Sequence, residues 1–166
     1  MINKINKLSK TEFIKVFDNI FENSEWIANE LYNQKPFVDF AGLSSSMIKI
    51  FENTTKESQL KILNSHPDLA NKTKIGALTT DSKNEQNSAG LDKCTPGEFD
   101  EFKNLNFEYK KKFGFPFIFA VKDKSKLQIL ANFRKRISCD INVEFEEAKK
   151  QVKKIANLRL NEINIK

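Results

Sequence analysis

The chain has 166 residues, 39% of them hydrophobic and 30% charged, which suits one globular domain and excludes a disordered one. Its net charge is +6, and it holds one histidine, His66, and two cysteines, Cys94 and Cys139. Those counts exclude, within one chain, four-cysteine, two-cysteine/two-histidine and HExxH zinc sites, and they offer no disulfide framework.

In chain order, the first helix signal is Ser9-Lys10-Thr11-Glu12, a capping box in which the Ser hydroxyl and the Glu carboxylate each satisfy an orphan N–H. Phe13, Val16, Phe17, Ile20 and Phe21 follow it at helical spacing. Helices are expected next at Glu25–Asn33 and Ser45–Asn53. Thr54-Thr55-Lys56-Glu57 reads as a second box, leading Leu60, Ile62 and Leu63 to a helix end at Ser65. Ser82-Lys83-Asn84-Glu85 reads as a third. Thr95-Pro96-Gly97-Glu98 is the strongest, because Pro96 also suits the first helical position. The helix it opens runs to about Lys112, with Phe99, Phe102, Leu105 and Tyr109 on its apolar stripe and Phe107 off it. Gly114 suits its C-terminal cap. Two more helices are expected at Lys124–Ser138 and Val143–Ile163, the last carrying Phe145, Ala148, Val152, Ile155, Ala156 and Leu160.

Only Phe115-Pro116-Phe117-Ile118-Phe119-Ala120-Val121 reads as extended, and Pro116 disfavours both helix and central strand there. The expected fold class is therefore all-α: a single compact multi-helix domain with one short extended apolar segment near 115–121. Glycine-rich phosphate loops are absent, which argues against a nucleotide-binding fold. No stretch approaches the ~20 apolar residues of a membrane span. The first seven residues hold no apolar secretory core, and Asn164-Ile165-Lys166 is not a peroxisomal address, so a reduced cytoplasm is the expected compartment. The positive charge fits either a basic helical module for nucleic acid or an acidic partner, or a solvated surface whose cations alternate with acids, as in Lys10-Thr11-Glu12.

Candidate chemistry begins at His66-Pro67-Asp68-Leu69. Pro67 biases His66 away from helical geometry, which displays the imidazole at a junction. It can serve as a proton-transfer group near neutral pH or simply cap the preceding carbonyls. Ser82, Glu85 and Gln86 surround a helix start that either is only a cap or favours a polar ligand. The extended segment holds core rings, and its backbone groups are open to a ligand. Arg159 either snorkels to water or offers its fork to a carboxylate.

Taken together, four segments resemble one family. They are His66-Pro67-Asp68-Leu69-Ala70, Ser82-x-x-Glu85-Gln86-x-x-Ala89-Gly90-Leu91, Phe113-Gly114-Phe115-Pro116-Phe117-Ile118 and Ile155-Ala156-x-Leu158-Arg159-Leu160. Phe21-Glu22-x-Ser24-x-Trp26 and Lys35-Pro36-Phe37 fit upstream. The chain is similar to the 2-oxo-4-hydroxy-4-carboxy-5-ureidoimidazoline (OHCU) decarboxylases of urate breakdown, over nearly its whole length. The resemblance implies a single all-α OHCU decarboxylase-like domain across 1–166, a homodimer, and cofactor-free, metal-free decarboxylation of a small anionic ureidoimidazoline to (S)-allantoin. It implies no nucleic-acid or membrane partner. His66 and Glu85 would be the catalytic pair. Pro67, Ser82, Gln86, the backbone of Phe117, Ile118, Phe119, Ala120 and Val121, and Arg159 would bind substrate. A decarboxylase of a related ureido acid is the neighbouring alternative. One departure is Arg136-Ile137-Ser138-Cys139, where the family often has Asn at the last position; it bears on a helix-end turn.

Overall fold

The computed structural model describes residues 1–71 and 77–163, so the Asn164-Ile165-Lys166 tail lies outside the described residues. Among the described residues there are nine α-helices, one short 3-10 turn and no β-strand, as an all-α reading requires. No helix among them is long and apolar enough to cross a membrane. The chain divides into two compact units, residues 1–62 with 153–166, and residues 63–152.

The first unit contains α1 (Ile2–Lys7), α2 (Lys10–Phe17), α3 (Glu25–Tyr32), α4 (Phe40–Asn53), most of α5 (Lys56–Ser65) and the end of α9 (Ile141–Glu162). α2 starts at the Ser9–Glu12 capping box as read from sequence. It stops at Phe17, so Ile20 and Phe21 are buried beyond the helix rather than on it. α4 begins five residues before the expected Ser45, because Asp39 accepts the Gly42 N–H at 2.6 Å and caps an earlier turn. Thr55, not Thr54, caps α5: its Oγ1 accepts the Ser58 N–H at 3.2 Å. α1 was not expected from the pattern. It is tied down by Asn6, whose side chain exchanges two hydrogen bonds with the Phe37 backbone at 2.8 and 2.9 Å. Phe13, Phe17, Phe21, Ile27, Leu31, Leu43 and Phe51 form the core, with Phe13–Phe17 centroids 4.5 Å apart and Phe21 stacked on Phe51 at 5.1 Å.

The second unit contains α6 (Thr80–Ser88), a 3-10 turn (Leu91–Lys93), α7 (Pro96–Phe113), α8 (Lys126–Arg136) and the start of α9. α7 has the expected Thr95–Glu98 box with Pro96 behind it, and Gly114 ends it in the left-handed conformation at φ 79°. Phe107 is 65% exposed, as its place off the stripe implied. Segment 115–121 carries no regular structure, and Phe115, Phe117, Ile118 and Val121 are buried. Its Phe117 ring lies flat on Phe133, centroids 3.8 Å apart, with Tyr109 edge-on at 5.5 Å. α8 opens one residue after Ser125, which forms a box with Gln128 and trims the expected Lys124 start.

Candidate active site

His66 is the first residue beyond α5. Its N–H still donates to the Leu63 C=O at 3.2 Å, but Pro67 cannot continue the helix. His66 is 8% exposed and counts among the buried polar residues. Beyond it the loop turns through Ala70, a non-glycine residue at φ 54°.

α6 lies against this loop, and Gln86 makes the join. Gln86 Oε1 accepts the Ala70 N–H at 3.0 Å and Nε2 donates to the Asp68 C=O at 3.3 Å. Glu85 is therefore carried on a helix bonded directly to the His66 loop. The expected third capping box does not form at Ser82. Thr79 caps α6, its Oγ1 accepting the Ser82 N–H at 3.3 Å, so Ser82 is inside the helix and only 4% exposed. Glu85 consequently sits mid-helix rather than as the cap partner of Ser82.

The 117–121 segment is also anchored. The Ile118 C=O accepts from Arg136 Nη1 at 2.7 Å, and the Ala120 N–H donates to Gln151 Oε1 at 3.1 Å. These two backbone groups are thus already engaged by protein. Arg136 itself lies 4.5 Å from the Phe117 ring and pairs at 2.5 Å with Glu144, which is wholly buried and also accepts from the Tyr109 hydroxyl. Burial, then the Glu144 carboxylate, push the Tyr109 phenol well above its ordinary range, with Arg136 acting the other way.

Arg159 belongs to the first unit. Its Nη1 donates to Glu22 Oε2 and to the Asn19 C=O, both at 2.9 Å, and Arg159 and Glu22 are 4% and 1% exposed. The arginine does not snorkel; it meets a carboxylate of its own chain.

Four residues in these contacts were not expected: Arg136 as an anchor, Gln151, Asn106 and Lys110. Asn106 Nδ2 donates to the Leu69 C=O at 2.9 Å, and Lys110 Nζ pairs with Asp68 at 2.6 Å. Asn106 had a legible signal, an amide in phase with Phe102, Tyr109 and Phe113 on a buried face. Among the described residues no cluster of His, Cys, Asp and Glu is arranged to hold a metal ion.

The profile of the family described as OHCU decarboxylase matches residues 6–161. The chain belongs to the OHCU decarboxylase family. It is 36% identical to the OHCU decarboxylase of Halalkalicoccus jeotgali over 99% of this chain and 92% of that one, and 32% identical to the Mus musculus enzyme of that name, over 96% and 90%. It is 38% identical to the uric acid degradation bifunctional protein of Bacillus sp. (strain TB-90), over 98% of this chain and 32% of that longer protein. Among solved structures it is similar to an (S)-allantoin synthase, with TM-score 0.77, 27% identity, and coverage of 97% of this chain and 53% of that one. An OHCU decarboxylase crystallised in the presence of (S)-allantoin shares the fold, with TM-score 0.70 and 22% identity over 87% and 94% of the two chains. These OHCU decarboxylase relatives are carboxy-lyases, and the His66 loop, Ser82, Glu85 and the 117–121 segment all lie within the matched span.

Proposed function

We propose that this protein converts OHCU to (S)-allantoin without a cofactor, with His66 and Glu85 as its acid–base pair. The observation that supports this most is the Gln86 clamp. It joins the helix carrying Glu85 to the loop carrying His66, inside a chain that matches the family over residues 6–161. Pro67, Ser82, Gln86 and the backbone of residues 117–121 would complete the substrate contacts. The working form would be a homodimer of a single domain spanning residues 1–166, in the cytoplasm.

The substrate's carboxylate sits on a ring carbon beside a C=N bond. When the C–CO2 bond breaks, its electron pair moves into the ring and toward that nitrogen. The substrate is thus its own electron sink, and the chemistry asks for no pyridoxal, thiamine or metal. With water supplying the proton that the ring nitrogen takes up as it receives the pair, protein groups must orient the carboxylate, take the hydroxyl proton as a carbonyl forms, and return a proton to one face of the neighbouring carbon. Imidazole is suited to both transfers near neutral pH. Glu85 would hold and polarise His66.

The test uses substrate freshly generated from urate and follows the optical activity of the allantoin formed. The parent protein should yield the (S) enantiomer. His66→Asn should lower the catalysed rate by roughly 10²–10⁴-fold with the helical fold intact, and Glu85→Gln nearly as far. Racemic allantoin forming at the spontaneous rate with the parent protein would refute the reading. Native rates in His66→Asn would remove the imidazole from it.

A further inference from the structure

Three successive residues of the His66 loop have a backbone group engaged by side chains from two helices. Asp68 C=O and Ala70 N–H meet Gln86 of α6, and between them Leu69 C=O meets Asn106 of α7. One turn further along α7, Lys110 Nζ reaches both carboxylate oxygens of Asp68, at 2.6 and 2.8 Å. Asn71 Nδ2 donates to the same carboxylate at 3.3 Å.

The loop is not in a conformation that it would keep unaided. Ala70 sits at φ 54°, a region that a residue with a Cβ occupies only when its surroundings hold it there. Pro67 shortens the path to the imidazole: its ring fixes one backbone torsion between Asp68 and His66, which leaves fewer torsions to absorb a displacement at Asp68. Asn106 is 6% exposed, and the Asp68 side chain 10%, so the clamp is shielded from water on that side.

We propose that Asn106 and Lys110 are positioning residues for His66, holding the Asp68–Ala70 backbone so that the imidazole is presented in its working orientation. The inference rests on His66 being the acid–base group. The Lys110 side chain is 41% exposed and the Asp68 side chain 10%, so losing the pair costs some stability, and the His66 signal together with the kcat-against-KM split, read on folded protein, separates the loop from the fold.

His66 is the only histidine, so its Cε1–H gives the one imidazole signal of its kind in a proton–carbon NMR spectrum of the whole protein. In Lys110→Met that signal should shift and broaden while the helical circular dichroism at the assay temperature stays that of the parent. kcat on fresh OHCU should fall about tenfold with KM little changed, short of the ~10²-fold that a 1 Å misplacement costs. Lys110→Arg should restore both the signal and kcat. Asn106→Leu should act in the same direction. In a His66→Asn background, Lys110→Met should remove nothing more, because the lysine acts through the imidazole. An unmoved His66 signal with unchanged kcat in Lys110→Met would overturn the proposal, as would an additive loss in the double variant. If the parent protein is inactive but Lys110→Met still moves the signal, the decarboxylase reading fails while the hold of Lys110 on the loop stands.

Discussion

The backbone N–H of Ala70 donates to Oε1 of Gln86 at 3.0 Å, while the same side chain's nitrogen donates to the Asp68 C=O at 3.3 Å. One carboxamide thus serves a donor and an acceptor on a loop sixteen and eighteen residues earlier in the chain. Gln86 was expected as a substrate contact; it is also a fastener.

Gln86→Leu should therefore lower stability and activity together. Leaving the buried Ala70 N–H and the part-buried Asp68 C=O unpaired costs up to about 1–3 kcal/mol each when no water replaces the bond. A urea midpoint falling with activity is the expected result. A midpoint equal to the parent's, with activity lost, would show that the amide serves substrate alone.

The Tyr109–Glu144 contact gives the protein an alkaline limit. Burial, reinforced by the neighbouring carboxylate, raises the folded-state affinity of the phenol for its proton. The folded value lies above the unfolded one of about 10. The resulting stabilisation is complete below about pH 10 and is lost as pH rises toward the higher folded value. The chain has two tyrosines, so Tyr32→Phe leaves Tyr109 as the sole reporter. Its tyrosinate absorbance should rise only as the helical circular dichroism disappears. Ionisation in a protein that keeps its helices would contradict the packing described.

The buried Arg159–Glu22 pair should be costly to break from one side. Arg159→Met strips the Glu22 carboxylate of its 2.9 Å cation, for which about 3–5 kcal/mol is typical. Adding Glu22→Gln should recover a large part of that loss, since the charge left behind is removed. Chemical denaturation of the two variants measures both steps. Equal destabilisation in the single and double variants would mean that packing, not charge, sets the cost.

Helix starts were legible where the signal was local. Ser9–Glu12 and Thr95–Glu98 close within one turn and need no other part of the chain, so spacing alone located them. Asp39, Thr79 and the Ser125–Gln128 pair do the same work with other residue types or one turn earlier, and the boundaries at α4, α6 and α8 moved accordingly. The motif residues His66 and Glu85 could be named from the sequence. The contacts that hold their surroundings could not. Asn106 to Leu69 spans 37 residues and Arg136 to Ile118 spans 18, and both are side chain to backbone. Such bonds depend on how helices meet, which no periodicity encodes. Arg136 stands out in the sequence only for the turn that follows it, yet its guanidinium occupies the Ile118 carbonyl.

The partition of the chain sets an order of completion during synthesis. The second unit is contiguous, residues 63–152, whereas the first needs its opening 62 residues and a closing piece from Lys153 onward. Glu22 precedes its partner Arg159 by 137 positions. At the ~5–20 residues per second of translation, that carboxylate waits on the order of ten seconds for its cation. The emerging protein thus holds all of its later-starting unit before its earlier-starting one can close. A stop codon just after Val152 would spare every residue of the former and strand the latter with an acidic group built for a dry, paired site.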